Sequence, residues 1–223
     1  MVVALKSRDD DARSRAFDTL ARVYWRPLYK YARSRGRCTP DAEDLTQSFL
    51  ARVLERNSLA TFDPAKASFR TFLRLLFDRH LANAWKASTR LKRGGAQGDF
   101  DFADVEAEMA RESPDGGSPE ERFEREWARS VFSLAVERLR QVAVSSGKEI
   151  SFALFEAYDL DQDWQLSYRD LAERFGLSET AVTNRLFSIR ALFRAIVLDI
   201  LREATASEHE FRAEARALLG TKI

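Results

Sequence analysis

Arg79, Asn83, Lys86, Arg90 and Arg93 recur at steps of four and three along SFRTFLRLLFDRHLANAWKASTRLKRGG, with Trp85 beside their stripe. Cations attract phosphate in a salt-sensitive way, an amide reads a base edge, and an indole stacks on an unpaired base. The same segment carries Phe69, Phe72, Leu73, Leu76, His80 and Leu81 at helical spacing, on a face that should turn to a core. Taken alone, the stripe is better explained by an amphipathic helix whose long solvent-facing side chains are arginines; beside a helix-turn-helix in the same chain that explanation loses. The preceding ATFDPAKASF is a loop signalled by Asp63-Pro64. There Phe62, Lys66 and Ser68 either tie down the turn or line a small pocket.

A second segment bears on the choice. LAERFGLSETAVTNRLFSIR, residues 171–190, reads as two short helices around a tight corner. Ala172 is small where two helices would cross, Gly176 suits a left-handed turn, and Ser178 is placed to cap the next helix. Val182 and Leu186 return to the core one turn apart. This spacing fits a helix-turn-helix, whose second helix offers its outer face to a major groove. A plain helical hairpin closing a core would share the pattern.

The elements that position these groups are helical almost throughout, and no alternating strand pattern is present. Helices are expected near 10–36, 40–56, 69–92, 120–146, 149–158, 167–175, 179–204 and 208–219. The second begins with Thr39 as cap, Pro40 in the first turn, and Asp41, Glu43 and Asp44 at the positive end of the dipole. RGGAQGDFDFADVEAEMARESPDGGSPEE is rich in glycine and acid and reads as a flexible linker. The expected fold class is therefore all-α: a domain over residues 1–93, an acidic linker over 94–119, a second domain over 120–204 and a tail helix over 205–223. In the tail, Ser207 with Glu210 forms a capping-box pattern, and Phe211, Ala215, Leu218 and Leu219 make an apolar face. The seam Val182, Leu186, Ile189, Phe193, Ile196 and Ile200 is a candidate to receive it, and regulation of access to the second domain is the role expected for the tail.

Charge is segmented. Residues 13–37 hold eight Lys/Arg against Asp18, residues 65–93 hold eight against Asp78, and residues 94–126 hold eleven Asp/Glu against three Arg. A net charge of +1 conceals two basic blocks and an acidic strap, which points to a polyanionic partner, although solvated helix faces account for any one block. No apolar run approaches a membrane span, and the N-terminal apolar stretch is too short for a secretory signal. Cys38 is the single cysteine, so no internal disulfide forms and a reducing cytoplasm is the expected setting.

These parts, in this order, resemble the extracytoplasmic-function sigma factors, the small two-domain members of the bacterial sigma-70 family, over roughly residues 12–204. The resemblance implies that DAEDLTQSFLARVLE docks on core RNA polymerase through Asp41, Asp44 and Gln47, while Leu45, Phe49 and Val53 hold it to its own domain. It implies that FRTFLRLLFDRHLANAWKASTR melts and reads the minus-ten element, with Phe62, Lys66 and Ser68 in a base-capturing loop. It further implies a minus-thirty-five reader with Thr183, Asn184, Phe187 and Ser188 facing bases, and Arg185 and Arg190 as phosphate or structural contacts. FEREWARSVFSLAVERLR and the tail are similar to a subgroup with a C-terminal extension. Core polymerase and promoter DNA are the implied partners, with an anti-sigma or other regulatory partner also admitted. No catalytic residue, cofactor or metal is implied.

The chain departs from that pattern at Phe72, where most relatives have Trp, at Arg79, where they have Asn, and at Asn83, where they have Asp. Thr183 and Ser188 stand where Lys or Arg is common. Fewer cations release fewer counterions, so the second domain alone should bind DNA weakly. An enzyme has little to work with: His80 and His209 are the only histidines, and no glycine-rich phosphate loop occurs. DLDQDWQLSYRD imitates a calcium loop at Asp159, Asp161 and Asp163, but Trp164 sits where Gly is needed and Asp170 where Glu is needed. A stand-alone helix-turn-helix regulator is the remaining rival, and it leaves DAEDLTQSFL and the basic helix unexplained.

Overall fold

A computed structural model describes residues 9–55, 59, 61–92, 117–161 and 166–220. The fold is all-α. Among the described residues there are eight α-helices: α1 (Asp10–Ser34), α2 (Thr39–Glu55), α3 (Phe69–Lys92), α4 (Pro119–Ser145), α5 (Glu149–Phe155), α6 (Tyr168–Phe175), α7 (Glu179–Ala204) and α8 (Glu208–Leu219). A π-helical turn, Glu156–Leu160, extends α5. Most of the acidic linker, with Trp164 of the calcium-like run, lies outside the described residues. The start of α2 is shifted by one position. Cys38 supplies the carbonyl that accepts from Ala42 N–H, so Thr39 is the first helical residue and Cys38 occupies the cap position.

The described residues form two compact units, one up to Ser130 together with the segment from Leu201 onward, the other Val131–Ile200. Composition puts a boundary in the linker, whereas packing draws α4's first turns into the first unit. Phe123 and Trp127 are buried, and Tyr31 of α1 meets Phe123 edge-on at 5.9 Å. Arg26 pairs with Glu126 at 3.0 Å, and Arg74 with Glu120 at 3.4 Å. The rest of this core is aromatic and aliphatic: Leu20, Val23, Tyr24 and Leu28 from α1, Phe49, Leu50 and Val53 from α2, and Phe69, Leu73, Phe77 and Leu81 from α3. The face expected from periodicity is correct at Phe69, Leu73 and Leu81, while Phe72, Leu76 and His80 are half-buried.

His80 joins α3 to α2. Its ring lies 5.7 Å from that of Phe49, and Nε2 is 3.1 Å from Ser48 Oγ. Burial, and then the Arg52 charge, hold its pKa below the ordinary value of 6.5. Within the window below that value the unfolded chain binds more protons, so the stability this residue contributes is present above it and lost as pH falls through it. The urea midpoint of the wild type should therefore drop between about pH 7.5 and about pH 5.5 by more than that of His80→Gln. Equal drops would show that His80 does not carry the dependence.

The tail helix takes its described polar partners from the first unit rather than from the expected seam. Val182, Leu186 and Ile189 are buried in their own unit, and Phe193 stacks on Phe132 at 6.2 Å and meets the Phe155 ring at a tilt at 5.1 Å. The described partners of α8 belong to the first unit: Phe69 N–H for Glu210, Arg70 for Glu214, and Arg202 over the Phe211 ring. Its inward face carries two carboxylates beside Phe211 and Ala215, all buried. Buried carboxylates need N–H and guanidinium partners, which an all-apolar seam does not offer.

Candidate nucleic-acid interface

On α2 the residues separate cleanly. Asp41, Asp44 and Gln47 are exposed, while Phe49 and Val53 are buried and Leu45 is half-buried. Steps of three keep the first set on one face, and Thr46 Oγ1 donates inward to Ala42 O at 2.7 Å. The result is a polar, acid-bearing strip free to meet another macromolecule.

The outer face of α3 carries the opposite sign. Arg79, Asn83, Trp85 and Lys86 are exposed. Arg37, from the turn between α1 and α2, lays its guanidinium over the Trp85 ring at 5.2 Å. Arg37 is a residue that spacing on α3 had no means of revealing, because the turn brings it in from another element. The Arg90 side chain and Arg93 lie outside the described residues.

The loop before α3 resolves into three different jobs. Phe62 is half-buried and packs edge-on against Phe69 at 5.5 Å and against Phe72 at 5.0 Å. Ser68 caps α3: its hydroxyl accepts from Thr71 N–H at 3.2 Å and donates to Thr71 Oγ1 at 2.9 Å. Lys66 is exposed and 3.6 Å from Asp63, a weak surface pair that leaves its charge available to a stronger anion. Asp63 Oδ1 accepts from Ala65 N–H at 3.0 Å, forming the turn that presents Lys66. The tie-down reading therefore holds for Phe62 and Ser68.

Residues 20–91, which include most of α1, α2 and α3, match the family model described as sigma-70 region 2. The chain carries a sigma-70 region 2 domain. No curated protein and no solved structure gives a match. The matched segment is what this chain shares, in general terms, with the RNA polymerase sigma factors. The acidic α2 strip and the basic α3 face both belong to the matched segment.

Outside the region 2 match, α6 and α7 form a hairpin whose local chemistry follows the sequence closely. Ser167 Oγ accepts from Asp170 N–H at 3.2 Å, and Asp170 Oδ2 accepts from Ser167 N–H at 2.8 Å. The Ser167 hydroxyl also donates to Asp170 Oδ2 at 2.6 Å, and this bond, followed by that from the Ser167 N–H, holds the Asp170 carboxyl below its usual range. Gly176 ends α6 at φ 64°, ψ 37°, a conformation that a side chain resists. Ser178 Oγ then accepts from Ala181 N–H at 3.2 Å, and Leu171, Val182 and Leu186 are fully buried.

On the outer face of α7, Thr183, Asn184, Phe187 and Ser188 are exposed, and Phe187 reaches 76%. Thr183 Oγ1 donates back to Glu179 O at 2.9 Å. Arg185 is half-buried, with Nη1 3.4 Å from Ser151 Oγ. Arg190 is placed differently from a phosphate contact. Its Nε and Nη2 donate to Asp159 at 3.0 and 2.9 Å, its Nη1 to Tyr168 Oη at 3.2 Å, and its guanidinium lies 5.2 Å from the Tyr158 ring. The π-helical turn carries Tyr158 and Asp159, so Arg190 locks that turn onto the hairpin. Asp159 and Asp170, the ends of the calcium-like run, thus serve Arg190 and Ser167. Among the described residues no cluster of three potential metal ligands occurs, and no helix is long and apolar enough to cross a membrane.

Lys148, Ser151, Asn184, Arg185 and Ser188, with the aliphatic Ile189 and Leu192, line a depression of about 280 Å³ beside the exposed α7 face. It brings together two cations, an amide and hydroxyl groups, a donor set suited to a phosphate. Lys148 and Ser151 were not legible as site residues, since only the packing of α5 against α7 brings them there.

Proposed function

We propose that this protein is an RNA polymerase sigma factor of the extracytoplasmic-function type, directing promoter-specific initiation. The observation that carries the reading is the region 2 match together with the separation of its two polar faces, acid-bearing on α2 and cationic with an exposed indole on α3. The α2 strip of Asp41, Asp44 and Gln47 binds core polymerase. Arg79, Asn83, Lys86, Arg90 and Arg93, with Lys66 presented by the loop that Phe62 and Ser68 hold, bind and stabilise the opened minus-ten strand. The α6–α7 hairpin contacts the minus-thirty-five duplex through Thr183, Asn184, Phe187 and Ser188, with Arg185 in the depression beside them. Arg190 supports the hairpin. The domain division at the acidic linker and a cytoplasmic location belong to the same reading. The protein carries out no covalent step; captured bases and backbone contacts offset the cost of strand opening.

The test is run-off transcription from a promoter-enriched genomic library with bacterial core polymerase, mapping every 5′ end against core alone. Discrete starts sharing upstream motifs are expected. Absence of starts together with failure to co-elute with core would overturn the reading and favour a stand-alone regulator.

A further inference from the structure

The first amides of a helix have no partners within the helix, and they collect at the positive end of its dipole. In α3, Ser68 takes Thr71 N–H, while Phe69 N–H donates to Glu210 Oε1 at 2.6 Å, from a residue 141 positions away. The other oxygen of Glu210 accepts from Ala206 N–H at 2.9 Å, and Ser207 Oγ accepts from Glu210 N–H at 3.1 Å. Glu210 therefore departs from the reciprocal capping box its spacing suggests. One buried carboxylate closes the first turn of the tail helix and the first turn of the region 2 helix at the same time.

A second contact reinforces it one turn along. Arg70 donates to Glu214 at 3.1 Å and to Glu124 at 2.7 Å, with its guanidinium 4.2 Å from the Trp127 ring. Burial raises the Glu214 pKa, and the Arg70 charge opposes the shift. A helix whose only task was to cover apolar surface would gain more from aliphatic residues at 210 and 214, since buried carboxylates carry a desolvation cost. Both carboxylates instead meet consecutive residues, Phe69 and Arg70, at the point where the loop over 61–68 enters α3.

We propose that Glu210 is a positioning residue for minus-ten recognition: the tail helix holds the first turn of α3, and through Phe69 the loop that presents Phe62 and Lys66. This rests on the sigma factor reading above. The Phe62 ring leans on Phe69 and Phe72, so a frayed first turn would displace the loop while leaving the acidic α2 strip in place. The tail thus acts on the opening step rather than on polymerase binding.

The test uses full-length Glu210→Ala and Glu210→Gln, with Arg212→Ala as an exposed control on the same helix, each assembled with core polymerase. Core affinity, thermal midpoint and the rate of promoter opening, read by 2-aminopurine placed in the minus-ten strand, are measured together. For Glu210→Ala, opening should slow on the order of tenfold with core affinity within about twofold, as loss of a charge-assisted hydrogen bond predicts. Glu210→Gln keeps one acceptor and should fall between, and it carries the test if the alanine variant fails to fold. Arg212→Ala should open at the wild-type rate. Unchanged opening in a folded Glu210 variant, or core affinity falling in step with opening, would overturn the inference. Failure of the wild-type holoenzyme to open any promoter would instead sink the sigma factor reading on which it rests.

Discussion

Phe69→Ala is expected to unfold the region 2 domain or bring it to the edge of unfolding. Phe69 is fully buried, meets the rings of Tyr24 and Phe62 edge-on at 6.0 and 5.5 Å, and begins the stripe continued by Leu73, Phe77 and Leu81. Truncating a buried Phe removes its transfer free energy and leaves a cavity, together about 3–5 kcal/mol. That is a large share of the ~5–15 kcal/mol that holds a domain folded. The loss should be at the upper end here, because the surrounding aromatics are rigid and Glu210 pins the backbone at the same residue, so the cavity collapses poorly. Urea or thermal unfolding of the full chain measures it. A midpoint change equivalent to less than about 1 kcal/mol would show that the site relaxes freely and that Phe69 is not the joint of this domain.

Phe187→Ala is the same substitution with the opposite outcome. At 76% exposure the side chain adds little to the folded state, and the stability change should stay within about 0.5 kcal/mol. Under the proposed reading its effect appears on DNA. A large apolar group displayed among Thr183, Asn184 and Ser188 is suited to the C5-methyl of thymine, the one apolar mark in the major groove. Good base contacts discriminate by about 1–3 kcal/mol, so initiation from the cognate promoter should fall roughly 5- to 150-fold. Replacing thymine by uracil through the minus-thirty-five element removes the methyl from the other side. Wild-type initiation should then drop at one position, and Phe187→Ala should be indifferent to the change there. Additive losses from the two changes would mean that Phe187 does not touch that methyl.

The two phenylalanines show where reading the sequence succeeds. Helical spacing placed Phe69 on an inward face, the family resemblance placed Phe187 on an outward one, and Phe69 is buried while Phe187 is exposed. The corner between α6 and α7 was equally legible: Gly176 takes the left-handed conformation, Ser178 caps, and Val182 and Leu186 are buried. On α2, the acids and Gln47 are exposed while Phe49 and Val53 are buried, the division that the family resemblance implied. Less was legible where partners lie far apart in sequence. Arg190 was expected to be a phosphate or structural contact, and Asp159, 31 residues earlier, takes its guanidinium. Arg37 reaches Trp85 from another element, and Lys148 joins Asn184 and Arg185 only through packing of α5 on α7.

The tail is the clearest case. Its helix, its Ser207 cap and its inward residues Phe211 and Ala215 follow from the sequence alone, since a helix and its caps depend on residues within about four positions. Its destination did not follow. The α7 seam was the surface offered to it on pattern, and periodicity assigns a face without naming its partner. The choice was made by Glu210 and Glu214, whose carboxylates require an unpaired helix N-terminal amide and a guanidinium in register, supplied by Phe69 and Arg70. The sequence by itself determined the helices, their caps and their polar and apolar faces. Only the tertiary structure decided which faces meet, because a buried charge is satisfied by geometry across the fold rather than by its neighbours along the chain.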